Sequence, residues 1–186
     1  MELNLEIQKK LSSEWFLYLQ NLICEEFEAI EQSVLSNTKK RAGKFKKNIW
    51  NKKKANEGGG QYFILNNGKV FDQVGVNFSR VQGKFSKNFK SKIPGANKSP
   101  YYWASGISVV AHMKNPKIPA VHFNTRFITT SRSWFGGGMD VTPSFKDNGE
   151  KLFVHKNLKN LCFQNKKNYK NYKKWCDKYF FINHRK

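Results

Sequence analysis

The chain is short of the residues that would staple, anchor or neutralise it. It holds three cysteines, Cys24, Cys162 and Cys176. The number is odd and no Cys-x-x-Cys pair occurs, so neither a disulfide framework nor a cysteine-built zinc site is expected. Acid is scarce: 13 Asp and Glu stand against 34 Lys and Arg, a formal net charge of +21. Arginine is scarce within that excess, 5 residues beside 29 lysines and 20 asparagines. Arginine is the cation suited to bidentate grip on phosphates and bases. The basic balance therefore reads as a general charge bias, with no specific nucleic-acid partner expected. No apolar run reaches the length of a bilayer span. The first residues, Met1-Glu-Leu-Asn-Leu-Glu-Ile7, lack the apolar centre of a signal peptide. A cytoplasmic protein with reduced thiols and no membrane span is expected.

Aromatic residues are abundant, at 15% of the chain, and hydrophobic residues make up 39%. Such a content excludes global disorder, and the length suits one domain over residues 1–186. Residues 13–35 predict a helix capped by Ser13, with an apolar stripe of Phe16, Leu19, Ile23, Phe27, Ile30 and Val34. Residues 38–57 are rich in lysine and read as a solvated loop ending at Gly58-Gly59-Gly60. Strand signals follow: Tyr62–Leu65 running into an Asn67-Gly68 turn, Val74–Val81, Trp103–Met113 and Ala120–Thr130. Gly136-Gly137-Gly138 reads as a break. Two helices are expected at the end, Lys151–Cys162 with Leu152, His155, Leu158 and Cys162 on one face, and Tyr169–Asn183 with Tyr172, Cys176 and Tyr179 on another.

Chemistry concentrates in Val121-His-Phe-Asn-Thr-Arg-Phe127. Strand side chains alternate, so His122, Asn124 and Arg126 share one face while Val121, Phe123 and Phe127 share the other. One face thus offers a base, an amide and a planar cation able to fork a carboxylate. On pattern alone, that polar face either serves a ligand or meets solvent. Ser108 and His112 share a face of the preceding strand. Pairing His112 with His122 would set Ser108 opposite Arg126. Trp134-Phe-Gly-Gly-Gly-Met-Asp140 puts an acid beside a glycine tripeptide that no Lys-Ser/Thr follows, which excludes a nucleotide P-loop. His155 reads as a packed helix histidine, and the four histidines match no compact metal motif.

Taken in order, Gly58-Gly-Gly60, Val74-Gly-Val-Asn-Phe-Ser79, Gly106-Ile-Ser-Val-Val-Ala-His112, His122-Phe-Asn-Thr-Arg126, Trp134-Phe-Gly-Gly-Gly138 with Asp140-Val-Thr-Pro143, and the segment from Lys173 to Arg185 resemble the oxygen-dependent coproporphyrinogen-III oxidase family. The resemblance implies an α+β fold, a large antiparallel sheet flanked by helices, and oxidative decarboxylation of coproporphyrinogen III with dioxygen as co-substrate and no organic cofactor. It implies substrate contacts at Ser108, Asn124, Thr125 and Arg126, and catalytic roles for His122 and Asp140. It implies a divalent-metal set of His112, His122, His155 and His184. It also implies a homodimer, and a sheet incomplete at the C-terminus, because family members continue beyond Arg185. One departure is Phe153, where many members carry a further histidine. The competing readings are a basic nucleic-acid-binding module and a non-enzymatic remnant of an interrupted gene.

Overall fold

The computed structural model describes residues 4–34, 41–145 and 148–181. Helix α1 spans Leu5–Ser33. Six strands follow: β1 Lys46–Asn51, β2 Gly58–Asn66, β3 Phe71–Lys84, β4 Tyr101–Met113, β5 Ala120–Thr129 and β6 Ser133–Thr142. A four-residue helix α2, Lys87–Lys90, lies between β3 and β4, and helices α3 (Asn148–Gln164) and α4 (Tyr169–Tyr179) come last. The strands form one antiparallel meander in the order β1-β2-β3-β4-β5-β6. The expected α+β class is what the chain adopts. Among the described residues no helix is long and apolar enough to cross a membrane.

The sheet has two unlike faces, and alternation decides which is which. Val74, Val76 and Phe78 of β3, Ile107, Val109 and Ala111 of β4, and Phe127 of β5 all project to one side, where they bury against Phe16 and Cys24 of α1. Fully burying one such Val or Phe is worth about 1.5–3 kcal/mol. Gln20, fully buried on α1, donates from Nε2 to the carbonyls of Val76 (2.8 Å) and Gln61 (3.2 Å) and accepts from Gln61 Nε2 (2.7 Å). These bonds set the helix at one height on the sheet. Burial drives the Cys24 thiol up to about 12, with Glu28 and Glu25 adding to the effect, so it is an inert core group.

At its C-terminal end α1 is tied down by a buried carboxylate. Glu31 accepts from the backbone N–H groups of Gly43 (2.8 Å), Lys69 (2.5 Å), Val70 (2.9 Å) and Phe71 (2.9 Å). Burial pushes its carboxyl up, but the four donors outweigh this and leave it below the ordinary glutamate value. The β2–β3 turn is built around this anion. Asn67 takes the left-handed conformation (φ 53°). Gly68 is there for room, since any Cβ would collide with the Glu31 carboxylate.

Several expectations need correction. The first helix starts with Asn4, whose side chain accepts from the Glu6 N–H, and Ser13 lies buried within it. Its buried line runs through Phe16, Gln20, Cys24 and Glu31, leaving Ile30 and Val34 exposed at 43% and 40%. The basic stretch is not all loop: residues 46–51 form the edge strand β1, whose two lysines are exposed, with the Lys47 ammonium over the Phe63 ring. Lys39 and Lys40 lie outside the described residues. Both glycine tripeptides sit inside strands, β2 and β6. Helices α3 and α4 bury no residue fully; Leu152 is 71% exposed and Tyr179 74%.

Candidate functional site

The second face of the sheet carries the polar residues, and among the described residues only its β6 edge is covered by a helix. Cross-strand pairing lines them up in rows, with neighbours about 4.5–5.5 Å apart. One row reads Asn48, Tyr62, Asn77, Ser108, Asn124, Gly138 from β1 to β6. The next on one side reads Trp50, Gly60, Ser79, Gly106, Arg126, Gly136. The next on the other reads Lys46, Ile64, Gly75, Val110, His122, Asp140. The expected register between β4 and β5 is off by two residues: Ser108 pairs with Asn124 and His122 with Val110. A shift of two preserves strand parity, so Ser108, His112, His122, Asn124 and Arg126 still share the face.

Asn124 is 4% exposed and sits at the centre of the group. Its Oδ1 accepts from Arg126 Nη1 at 2.6 Å, which orients the guanidinium along the sheet. Gly106 lies under that side chain: a Cβ there would sit 2.7 Å from Arg126 Cγ. Asp140, directly across from His122, lies on a strand and not beside a flexible loop as its glycines suggested. Its Oδ2 accepts from Thr142 Oγ1 at 2.6 Å. Phe180 of α4 meets the His122 ring edge-on, centroids 5.8 Å apart, and also faces Gly138, where a Cβ would come within 3.4 Å of it. Helix α4 thus roofs the His122 corner, and the absence of a side chain at Gly138 lets it sit close.

His112 and His122 line one cleft of about 240 Å³, with Val110, Ala120, Val121 and Thr142 completing it. His155 is elsewhere, its Nδ1 hydrogen-bonded to Tyr169 OH at 2.8 Å between α3 and α4. His184 lies outside the described residues. Among the described residues no three His, Cys, Asp or Glu side chains form a group able to hold a metal ion. Two imidazoles on a shared cleft fall short of the three protein ligands of a typical catalytic zinc site. The described donors do not fit a divalent cation, and no step is routed through one. Thr125 is also set apart: it pairs with Ile107 and its side chain belongs to the helix-covered face, so only its backbone adjoins the polar rows.

Sequence reasoning missed Asn77 and Tyr62, which extend the Ser108–Asn124 row onto β3 and β2. The alternation that exposes His122 also exposes Asn77, since Val76 and Phe78 on either side of it are buried.

These features define an α+β protein whose open sheet face combines a fixed guanidinium, amides, a hydroxyl, an imidazole and a carboxylate, a set suited to a polar, anionic ligand. A family model described as coproporphyrinogen III oxidase matches residues 12–186. The oxygen-dependent coproporphyrinogen-III oxidase of Rickettsia rickettsii (strain Sheila Smith) is 44% identical over 185 residues, 99% of this chain and 65% of the relative. That of Rickettsia akari (strain Hartford) is 45% identical over 179 residues, 96% of this chain and 63% of the relative. The chain belongs to the coproporphyrinogen III oxidase family, and it spans just under two thirds of the length of these relatives.

Proposed function

We propose that the polar face is part of the substrate site of an oxygen-dependent coproporphyrinogen-III oxidase. The reaction converts the ring A and B propionates of coproporphyrinogen III to vinyl groups, giving protoporphyrinogen IX. Each propionic acid chain loses carbon dioxide and two hydrogens. The two electrons pass to dioxygen, which leaves with two protons as hydrogen peroxide. The Asn124-held guanidinium of Arg126, on the same face as His122 and Asp140, is the observation that carries this reading. A propionate seated on Arg126 would be gripped by a planar fork already aimed along the sheet. Ser108 and Asn124 offer further hydrogen bonds one row away. His122 is the proton-exchanging group, and Asp140 supplies the facing negative charge. The exposed apolar side chains of α3 and α4, Phe163 and Trp175 among them, support the homodimer of the same reading as surface for a second copy.

The test is aerobic turnover of coproporphyrinogen III by these residues joined to the C-terminal third of a relative, followed by the fluorescence of the oxidised product. Arg126→Ala is expected to weaken substrate binding by about 2–3 kcal/mol, the loss of a charge-assisted contact. Unchanged affinity would remove Arg126 from the site. His122→Ala is expected to lower kcat by roughly a hundredfold and His155→Ala far less, because His155 is engaged with Tyr169 away from the polar rows. A folded His155 variant losing more turnover than the His122 variant would reverse the assignment.

A further inference from the structure

A porphyrinogen places its carboxylates at the rim and four pyrrole N–H groups near the middle. A rim carboxylate on Arg126 leaves the centre of the macrocycle about one or two strand spacings away, each about 4.8 Å. On this sheet that distance leads from β5 across β4 to β3, which is where Asn77 stands, next to Ser108. Resting on the proposed substrate, we infer that Asn77 is a further substrate-binding residue, its side-chain carbonyl accepting from the pyrrole N–H groups.

Three observations carry this. Asn77 is exposed, and its side chain makes no hydrogen bond among the described residues, so its acceptor is free. The ground beside it is low. Gly75 precedes it on the same face, and a Cβ at Gly75 would meet nothing within 4 Å. One row over, Gly60 and Gly106 flank Ser79, beside the side chains of Trp50 and Arg126. The puckered macrocycle, its pyrroles joined by methylene bridges, can therefore reach the amide over Gly75, with Tyr62 beside it on β2. Ser108, the cross-strand neighbour of Asn77, lies between it and the Arg126-bound Asn124, so the row runs unbroken from the rim contact to the centre. Asn124 has given its Oδ1 to Arg126. An N–H donor arriving over the middle of the face finds its free amide acceptor at Asn77.

The test measures binding of coproporphyrinogen III under argon, where no turnover occurs, by quenching of intrinsic fluorescence in these residues joined to the C-terminal third of a relative. Asn77→Leu keeps the size and removes the acceptor; Asn77→Asp keeps an acceptor. Asn77→Leu is expected to raise Kd by about tenfold with an unchanged melting temperature, and Asn77→Asp to recover at least about threefold of that loss. A wild-type protein that binds and an Asn77→Leu variant within about twofold of it would overturn the inference and leave the substrate assignment standing. An Asn77→Asp variant as weak as Asn77→Leu would overturn the acceptor role. Failure of the wild type to bind would remove the substrate assignment and the inference together.

Discussion

Replacing Glu31 by alanine is expected to destabilise the protein by about 3 kcal/mol or more, a large share of the roughly 5–15 kcal/mol that holds most domains folded. The carboxylate is fully buried and serves four backbone N–H groups. Removing it strands those donors away from water, the costly direction of the hydrogen-bond asymmetry. Glu31→Gln offers no repair, since its amide NH2 would point donors at donors. Gly68→Ala should imitate the loss from the other side, because its methyl would press on the same carboxylate. The pH dependence has a definite sign. The folded carboxyl ionises at lower pH than in the unfolded chain. Its stabilisation is therefore complete above the ordinary glutamate value, about 4.3, and fades as pH falls through the lower folded value. Urea midpoints measured from neutral pH downward should drop for the wild type over that acid range. They should start low and lack this component in Glu31→Gln. Equal midpoints for wild type and Glu31→Ala at neutral pH would show that the four N–H groups find other partners.

Glu31 also shows what the sequence could and could not reveal. Period-two alternation is a local signal set by strand geometry, so the ends of β4 and β5 and the shared face of His122, Asn124 and Arg126 were legible from the residues alone. Register is not local. Between β4 and β5 it depends on how far Asn115-Pro-Lys-Ile-Pro119 carries the chain before it returns, and the structure settles two residues from the simplest pairing. The glycine tripeptides misled because glycine in isolation marks freedom. Here Gly60 and Gly137 lie in strands where a Cβ would run into a neighbouring strand's carbonyl. Glu31 and Gln20 were passed over because charged or polar residues on a helix normally face water. Their partners, 12 to 56 residues distant, become visible only when the sheet closes against α1. Asn77 required no more than the parity rule already used for His122, applied two strands earlier.

The 186 residues produced by themselves are expected to turn over little or no coproporphyrinogen III, at least about a hundredfold below a full-length relative. The reasons lie in what the described structure leaves open. Helix α1 covers one face of the sheet, whereas only the β6 edge of the polar face is roofed, by Phe180 and its neighbours. Arg126 is exposed, so bulk water would screen its hold on a propionate. Neither α3 nor α4 buries a residue fully, and Phe163 and Trp175 stand 84% and 74% exposed. Apolar surface of that kind seeks a cover, from further chain or from another copy. The outer edges of β1 and β6 pair with no further strand among the described residues and invite association. A charge of +21 adds self-repulsion to a core supported by one long helix. About a third of the relative's length lies outside the matched region, and sequence of that extent is enough to wall the polar face. Two measurements decide the matter: product fluorescence from the purified 186 residues under air, and the same assay after adding the C-terminal third of a relative as a separate polypeptide. Recovery on addition is the expected result. Turnover by the 186 residues alone at the level of a full-length relative would show that the open face needs no further wall, and that Arg126 and His122 work within reach of bulk water.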